Sequence, residues 1–535
     1  MKSDCIPYKK TGYFSNLISD YLDQKENLQP FYNRFSNLEN FKDQLLEKQA
    51  NFPMENRKVL YSALKKQYNK IDISRSTELH LELLKDNSTF TVVTGHQLNL
   101  FTGPLYFLYK IISTINLTQQ LKEAYPNYNF VPVYWMATED HDFDEINYFN
   151  FKGKKLQWNK TASGAVGHLN TDGLDNVYEM LSLEIGVGQN AEELKALFKK
   201  SYLEHDNLTD ATRFLANELF GEYGLVIVDG DNRELKKLLV PFAKKDILEN
   251  TAYKAVAKTS QKLEQLEENY GIQVNPREIN YFYLKEGLRE RIIENNGSYY
   301  INDTDLSFTQ KELLEELENY PERFSPNVIS RPLFQEVILP NLCYIGGGGE
   351  LAYWLELKSS FEAMGITFPI LLLRNSALVI TQKQGEKLSK LNLEIADLFL
   401  KQNSFINKKI RNISNIDIDF SQQRRHLEEQ FQDLFSLAEQ TDKSFLGAVK
   451  AQEVKQLKGL DNLEKRLLKA QKRKLKDHVV RMTDIQNELF PNKSLQERNL
   501  NFSELYLEYG KELIPLLLTA LKPLSGEFTI LTMDN

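Results

Sequence analysis

Three stretches of this 535-residue chain gather residue types that do chemistry. The first, TGHQLNLFTGP at 94–104, follows an apolar run and precedes a helix-like one. A helix N-terminus offers free N–H groups and a positive dipole end to phosphate, and an imidazole beside it can donate to an oxyanion as charge develops. His96 and Gln97 are therefore the leading catalytic candidates, with Gly95, Asn99, Thr102 and Gly103 as binding residues. The competing reading makes His96 a packing or capping residue. Lys110, two turns into the helix, reads as a solvated face or as a residue reaching phosphate, and it joins the binding set.

The second stretch is ATEDHDFDEIN at 137–147, just past Trp135, another binding candidate. Carboxylates and an imidazole at this density suit Mg²⁺ beside a nucleotide, or a general base for an amine nucleophile. Glu139, His141 and Asp142 are taken as catalytic candidates and Asp140 as a binding residue, whereas Asp144 and Glu145 read equally as a capping turn. The spacing matches no HExxH zinc pattern. The third stretch, GGGGELAYW, places Gly346, Gly347, Gly348, Gly349 and Glu350 before a helix, where bare backbone can approach an anion. No GK[ST] follows, and Leu351 stands where a dinucleotide fingerprint needs its last glycine. Arg374, Asn375 and Ser376 follow the next apolar run and offer a guanidinium to carboxylate or phosphate. Asp229 ends another such run, as a turn residue or as a ribose or metal contact.

These residues need a scaffold that brings strand ends together. STFTVV before the first stretch, a helix with Leu105, Leu108, Ile112 and Ile115 on one face, and FVPVYWMA form a βαβ unit. Thr102 or Gly103 is the expected cap with Pro104 at the first helical position, and Pro132 argues that the second strand begins near Val133. GLVIVDGDN leads into RELKKLLVPFAKKDI. Residues 342–345, a helix with Trp354, Leu357, Phe361 and Met364 on one face, and FPILLLR repeat the βαβ pattern. The expected fold is α/β: a Rossmann-like, doubly wound parallel sheet whose ligand lies beyond the carboxyl ends of its strands. Its parts are N-terminal helices at 1–87, core segments at 88–150, 206–250 and 326–382, and insertions at 151–205 and 251–325. Residues 383–490, almost free of Gly and Pro, carry Leu457, Leu460, Leu463 and Leu467, then Met482, Ile485 and Leu489, at helical spacing. They predict a long helical hairpin or coiled coil whose apolar repeat is broken at 449–454 and 470–475, and 491–535 return as helix to the core.

Composition sets the outer limits. With 41% hydrophobic and 26% charged residues against only 25 Gly and 16 Pro, the chain is neither collagen-like nor disordered. A formal net charge of -8 provides no global attraction for nucleic acid, and the basic run at 464–481 reads as a solvated helix face. Cys5 and Cys343 cannot make a four-thiolate zinc site, so no zinc is expected, and their scarcity fits a reducing compartment. Neither an export signal nor a membrane span is read, which points to the cytoplasm and away from membranes.

TGHQLNLFTGPLYFLYK, VPVYWMATEDHDFDEIN, SPNVISRPLFQEVILPNLCYIGGGGELAYWLELK, LLRNS and the C-terminal QERNLNF, in this order, resemble the bacillithiol biosynthesis cysteine-adding enzymes, a family of cysteine ligases. The resemblance spans essentially the whole chain, although Gly348 stands where that family commonly has proline. It implies amide formation between cysteine and glucosaminyl malate, a core similar to class I aminoacyl-tRNA synthetases and nucleotidyltransferases, and a homodimer through the coiled coil. It also makes TGHQ the counterpart of their first nucleotide signature; TQKQGEKLSK at 381–390 is too loose to be the second. An amide cannot form from a carboxylate and an ammonium without activation, so ATP and Mg²⁺ are expected, with His96 acting on phosphate and an acid such as Asp142 deprotonating the amine. The alternatives are adenylation of a different acid by a nucleotidyltransferase-like enzyme, or a coiled-coil scaffold.

Overall fold

The apolar runs FTVV, FVPVYWM, VIV, LCYI and ILLL become the strands of one parallel sheet in the computed structural model, which describes residues 2–533. Across the sheet the order is Ile370–Leu373, Asn341–Gly346, Thr89–His96, Asn129–Met136 and Val226–Asp229. Both faces are covered, which is why these runs are apolar without alternation. Val92, Cys343, Ile345 and Leu372 join Phe41, Leu45 and Leu117 in a smaller core, while Val93, Tyr344, Leu371 and Leu373 point into the main one. The chain runs outward from the His96 strand to Val226–Asp229, then returns to the other side of the His96 strand at Asn341–Gly346. That reversal opens a crevice between the two strands, the place where such sheets bind ligands.

The structure departs from the sequence expectations in several places. The Asn129–Met136 strand includes Pro132, paired with Val92. The N–H groups of Asn129 and Ala137 point to the His96 strand, so the nitrogen of Pro132, an odd number of positions away, faces the other flank. Pairing on that flank starts only at Val133, and the missing donor costs no ladder bond. The first crossover helix is Tyr106–Ala124, beginning after Pro104 with no side-chain cap, because Phe101, Thr102 and Gly103 all adopt positive φ and hold the chain in a turn. The helix after the glycines is two, Gly348–Leu355 and Lys358–Met364, although Trp354, Leu357, Phe361 and Met364 are all buried.

Residues 2–7, read as helical, form a strand. It pairs antiparallel with Glu527–Thr532, which in turn lies parallel to Ala377–Ile380. Among the insertions, Tyr281–Lys285, Leu288–Asn295, Ser298–Ile301, Ser307–Thr309 and Phe324–Pro326 build an antiparallel sheet. The helical arm carries Ser421–Ala438 against Lys443–Lys474, joined by Phe431, Ala438 and Val449. The second of these helices runs through 449–454 despite the broken apolar repeat there, and ends at Leu475. Among the described residues no helix is long and apolar enough to cross a membrane.

Candidate active site

A cavity of about 510 Å³ opens at the crevice where the strand order reverses. Gly95, His96 and Gln97 come to it from the end of the first strand, Trp135, Glu139 and Asp140 from the second, and Gly347, Gly348, Gly349 and Glu350 from the helix after Asn341–Gly346. Lys110 and Arg374 complete the expected residues that line it. The three stretches distant in sequence thus meet because three parallel strands end on one edge.

His96 is 8% exposed, with its ring against Tyr106 and Phe107, centroids 5.4 and 5.0 Å away. Burial, then the neighbouring Lys110 and Arg374 charges, hold its pKa well below the ordinary value, so it stands as neutral imidazole. Its Nε2 has no hydrogen-bond partner. A neutral ring among fixed cations is suited to donate to, or accept from, an anionic ligand without competing for its own charge.

Lys110 is buried, not solvated. Its Nζ lies 2.6 Å from Glu350 Oε2 and donates to Gly95 O at 2.8 Å, which ties the helix to the glycine turn and to the end of the His96 strand. Glu350 also accepts from Tyr344 Oη and from Gly347 N, both at 2.8 Å. Burial would raise the Glu350 carboxyl, but Lys110 outweighs it and the pKa falls. Gly349 has nothing within 4 Å of where a Cβ would sit, leaving its backbone open to a ligand. Arg374 is buried, with Nη2 donating to Glu497 Oε1 at 2.7 Å and Nη1 to Asn375 O at 2.9 Å and Ser376 Oγ at 3.1 Å.

The acidic turn divides. Asp140 lines the cavity, accepting from Gln97 Nε2 at 2.9 Å and from His141 N at 2.7 Å. Glu139 also lines it, but Lys236 Nζ, 2.6 Å away and shared with Asp231, neutralises it; burial pushes this carboxyl up against the pull of Lys236. His141 and Asp142 stand outside the lining, each about half exposed, with the Arg289 guanidinium 2.8 Å from His141 Nδ1. The ligand atoms of Asp140, His141 and Asp142 lie within 4.8 Å of one another, where Arg289 already supplies positive charge.

Other expected residues support the site from behind. Asn99 donates to Glu145 O at 3.1 Å, and Gly103, at φ 63°, packs so tightly on it that a Cβ would meet the Asn99 Cβ at 2.6 Å. Thr102 is buried in that turn. Asp229 accepts from Thr138 Oγ1 at 2.5 Å and Asp231 N at 2.9 Å. Burial and the Asp231 charge raise its carboxyl, and it does not reach the cavity. Gly346 ends its strand under Leu351, where a Cβ would come within 2.8 Å of Cδ1. Asn375 bonds Ser113 and Lys522 O, and Ser376 Oγ bonds Glu497.

The cavity also takes residues the motifs did not single out: Tyr106, Arg289, Arg331, Tyr344, Tyr353 and Arg498. Tyr344 stacks on Trp354, centroids 4.4 Å apart. Arg331 lies in SPNVISRPLF and Arg498 in QERNLNF, two motifs whose arginines among apolar and amide residues were the available signal.

The sequence comparisons agree with this division into a Rossmann-like part and a coiled-coil part. Residues 1–375 match the family described as "Bacillithiol biosynthesis BshC, N-terminal Rossmann-like domain" and 377–533 match "Bacillithiol biosynthesis BshC, C-terminal coiled-coil domain". Proteins named "Putative cysteine ligase BshC" from Flavobacterium johnsoniae and Christiangramia forsetii are 61% and 60% identical, each over 100% of both chains. One from Bacillus anthracis is 28% identical over 93% of this chain and 94% of its own. The chain belongs to the bacillithiol biosynthesis BshC family.

Proposed function

We propose that this protein is a cysteine ligase that joins the carboxylate of L-cysteine to the amine of glucosaminyl malate, with ATP as the activator. The observation that carries the reading is the convergence of a neutral His96 whose Nε2 has no hydrogen-bond partner, an open glycine turn and the Asp140 carboxylate on one cavity at the point where the strand order reverses. Phosphate suits the end formed by Gly95, His96 and the glycines 347–349, where the Gly348–Leu355 helix begins and the Lys110 and Arg374 charges lie close. Mg²⁺ would enter with the nucleotide and neutralise phosphate charge.

In the first step the cysteine carboxylate oxygen bonds to phosphorus, and the bond from that phosphorus to its bridging oxygen breaks. His96 hydrogen-bonds the oxygen on which charge develops. In the second step the amine nitrogen attacks the activated carbonyl, the phosphate-bearing oxygen leaves, and the amine proton passes to the acidic turn. Asp140, in the lining, or Asp142, two residues on and outside it, takes that proton. The test is to incubate the purified protein with cysteine, glucosaminyl malate and Mg-ATP. Mass spectrometry should show the amide-linked thiol together with AMP or ADP; ATP left intact and no thiol product would end this reading.

A further inference from the structure

We infer that Arg498 binds the phosphate end of the nucleotide, supplying from the C-terminal segment the cation that no second signature provides. This rests on the nucleotide-dependent reading above. The lysine-bearing stretch at 381–390 is a helix, Gln382–Lys390, outside the cavity, and its Lys387 is paired with Glu488 at 2.9 Å. The cations nearest His96 are already committed: Lys110 to Glu350 and Arg374 to Glu497. Arg498 lines the same cavity, is exposed, and has no carboxylate partner among the described residues.

Its backbone is fixed on both sides. Gln496 holds Val379 through N and O, both at 3.0 Å, and Glu497 accepts from Arg374 and from Ala377 N. On the other side Leu500 O accepts from Leu105 N at 2.7 Å, and Asn501 Nδ2 donates to Phe101 O and Gly103 O at 2.7 and 2.6 Å. The segment therefore clamps the turn that carries the first motif while leaving one guanidinium free. Arg498 shares the cavity lining with Tyr106, whose ring packs edge-on against His96 with centroids 5.4 Å apart. A free guanidinium on a fixed backbone can pair with two phosphate oxygens as the leaving oxygen takes up the electron pair of the breaking bond.

The experiment uses the intact protein, with Arg498→Gln and Arg498→Lys, and reads calorimetric binding of inorganic pyrophosphate, product formation and melting temperature. Arg498→Gln should lower turnover about 100-fold and weaken pyrophosphate about 10-fold, with KM for cysteine and melting temperature little changed. Added guanidinium should recover part of the rate, and Arg498→Lys should fall between. Wild-type pyrophosphate affinity together with more than a tenth of wild-type turnover in Arg498→Gln would overturn the assignment. If the wild-type protein makes no thiol, the ligase reading falls; pyrophosphate binding lost in Arg498→Gln would still support the phosphate role, and unchanged binding would remove it.

Discussion

His96 gains its character from what surrounds it rather than from its own chemistry. Burial first, and then Lys110 and Arg374, press it toward neutrality, and each of these cations is held by a carboxylate on a different segment, Glu350 and Glu497. His96→Ala should therefore lower turnover about 100- to 1,000-fold, and should also lower the melting temperature because the buried ring leaves a cavity beside Tyr106 and Phe107. Retention of more than a tenth of the activity would make the residue structural. For the second step, Asp140→Asn and Asp142→Asn should both leave nucleotide turnover with cysteine intact while slowing amide formation. The base is the one whose loss costs more, about 100- to 10,000-fold, in single-turnover transfer assays. Zinc should not be required: Cys343 is buried in its strand, where burial pushes the thiol up, and Cys5 is exposed on a different sheet. Stoichiometric zinc, with activity lost to a chelator and restored by zinc but not by Mg²⁺, would refute this.

At the scale of elements, junctions decide as much as the strands do. Asp246 ends one helix, Arg233–Glu249, and accepts from Ala252 N of the next at 2.7 Å. Burial raises its carboxyl to about 6. Because the folded pKa lies above the unfolded one, folding favours the protonated form: stability is greatest below the unfolded value and is lost as pH rises through about 6. Asp246→Asn keeps the accepting oxygen without the buried charge. It should stabilise the protein at pH 8 by about 3 kcal/mol and at pH 5 by about half as much, as urea unfolding can show. A loss of stability at pH 8, or an equal gain at both, would contradict the assignment. The parallel strands were legible in sequence because burial on both faces makes them continuous apolar runs. KSDCIP was not, since its strand is almost wholly exposed and carries no alternation. His96, Asp140 and the glycines could be placed on one edge from local pattern alone. The partners of Lys110 and Arg374 could not, because Glu350 and Glu497 are far away in sequence and only packing brings them close.

Across the whole molecule, the segment at 496–501 joins the Ala377–Ile380 strand to the turn at 101–105. Leu434, Leu437, Phe445 and Leu446 are exposed near the far turn of the arm, which the hairpin partner leaves uncovered. The intact protein should be a dimer by light scattering and a version lacking 410–485 a monomer; a monomeric intact protein would contradict the expected interface. The pairing of Lys2–Pro7 with Glu527–Thr532 has a consequence for synthesis. The Gly103 turn and Arg374 emerge from the ribosome long before Asn501 and Glu497, the residues that hold them, and the earliest strand waits for almost the last one. A nascent chain can assemble its parallel sheet during translation, yet its reaction site stays incomplete until residues 496–501 are free to dock. Ribosome-stalled chains ending before 496 should therefore be folded in part and inert toward nucleotide, with competence appearing only once this segment is in place.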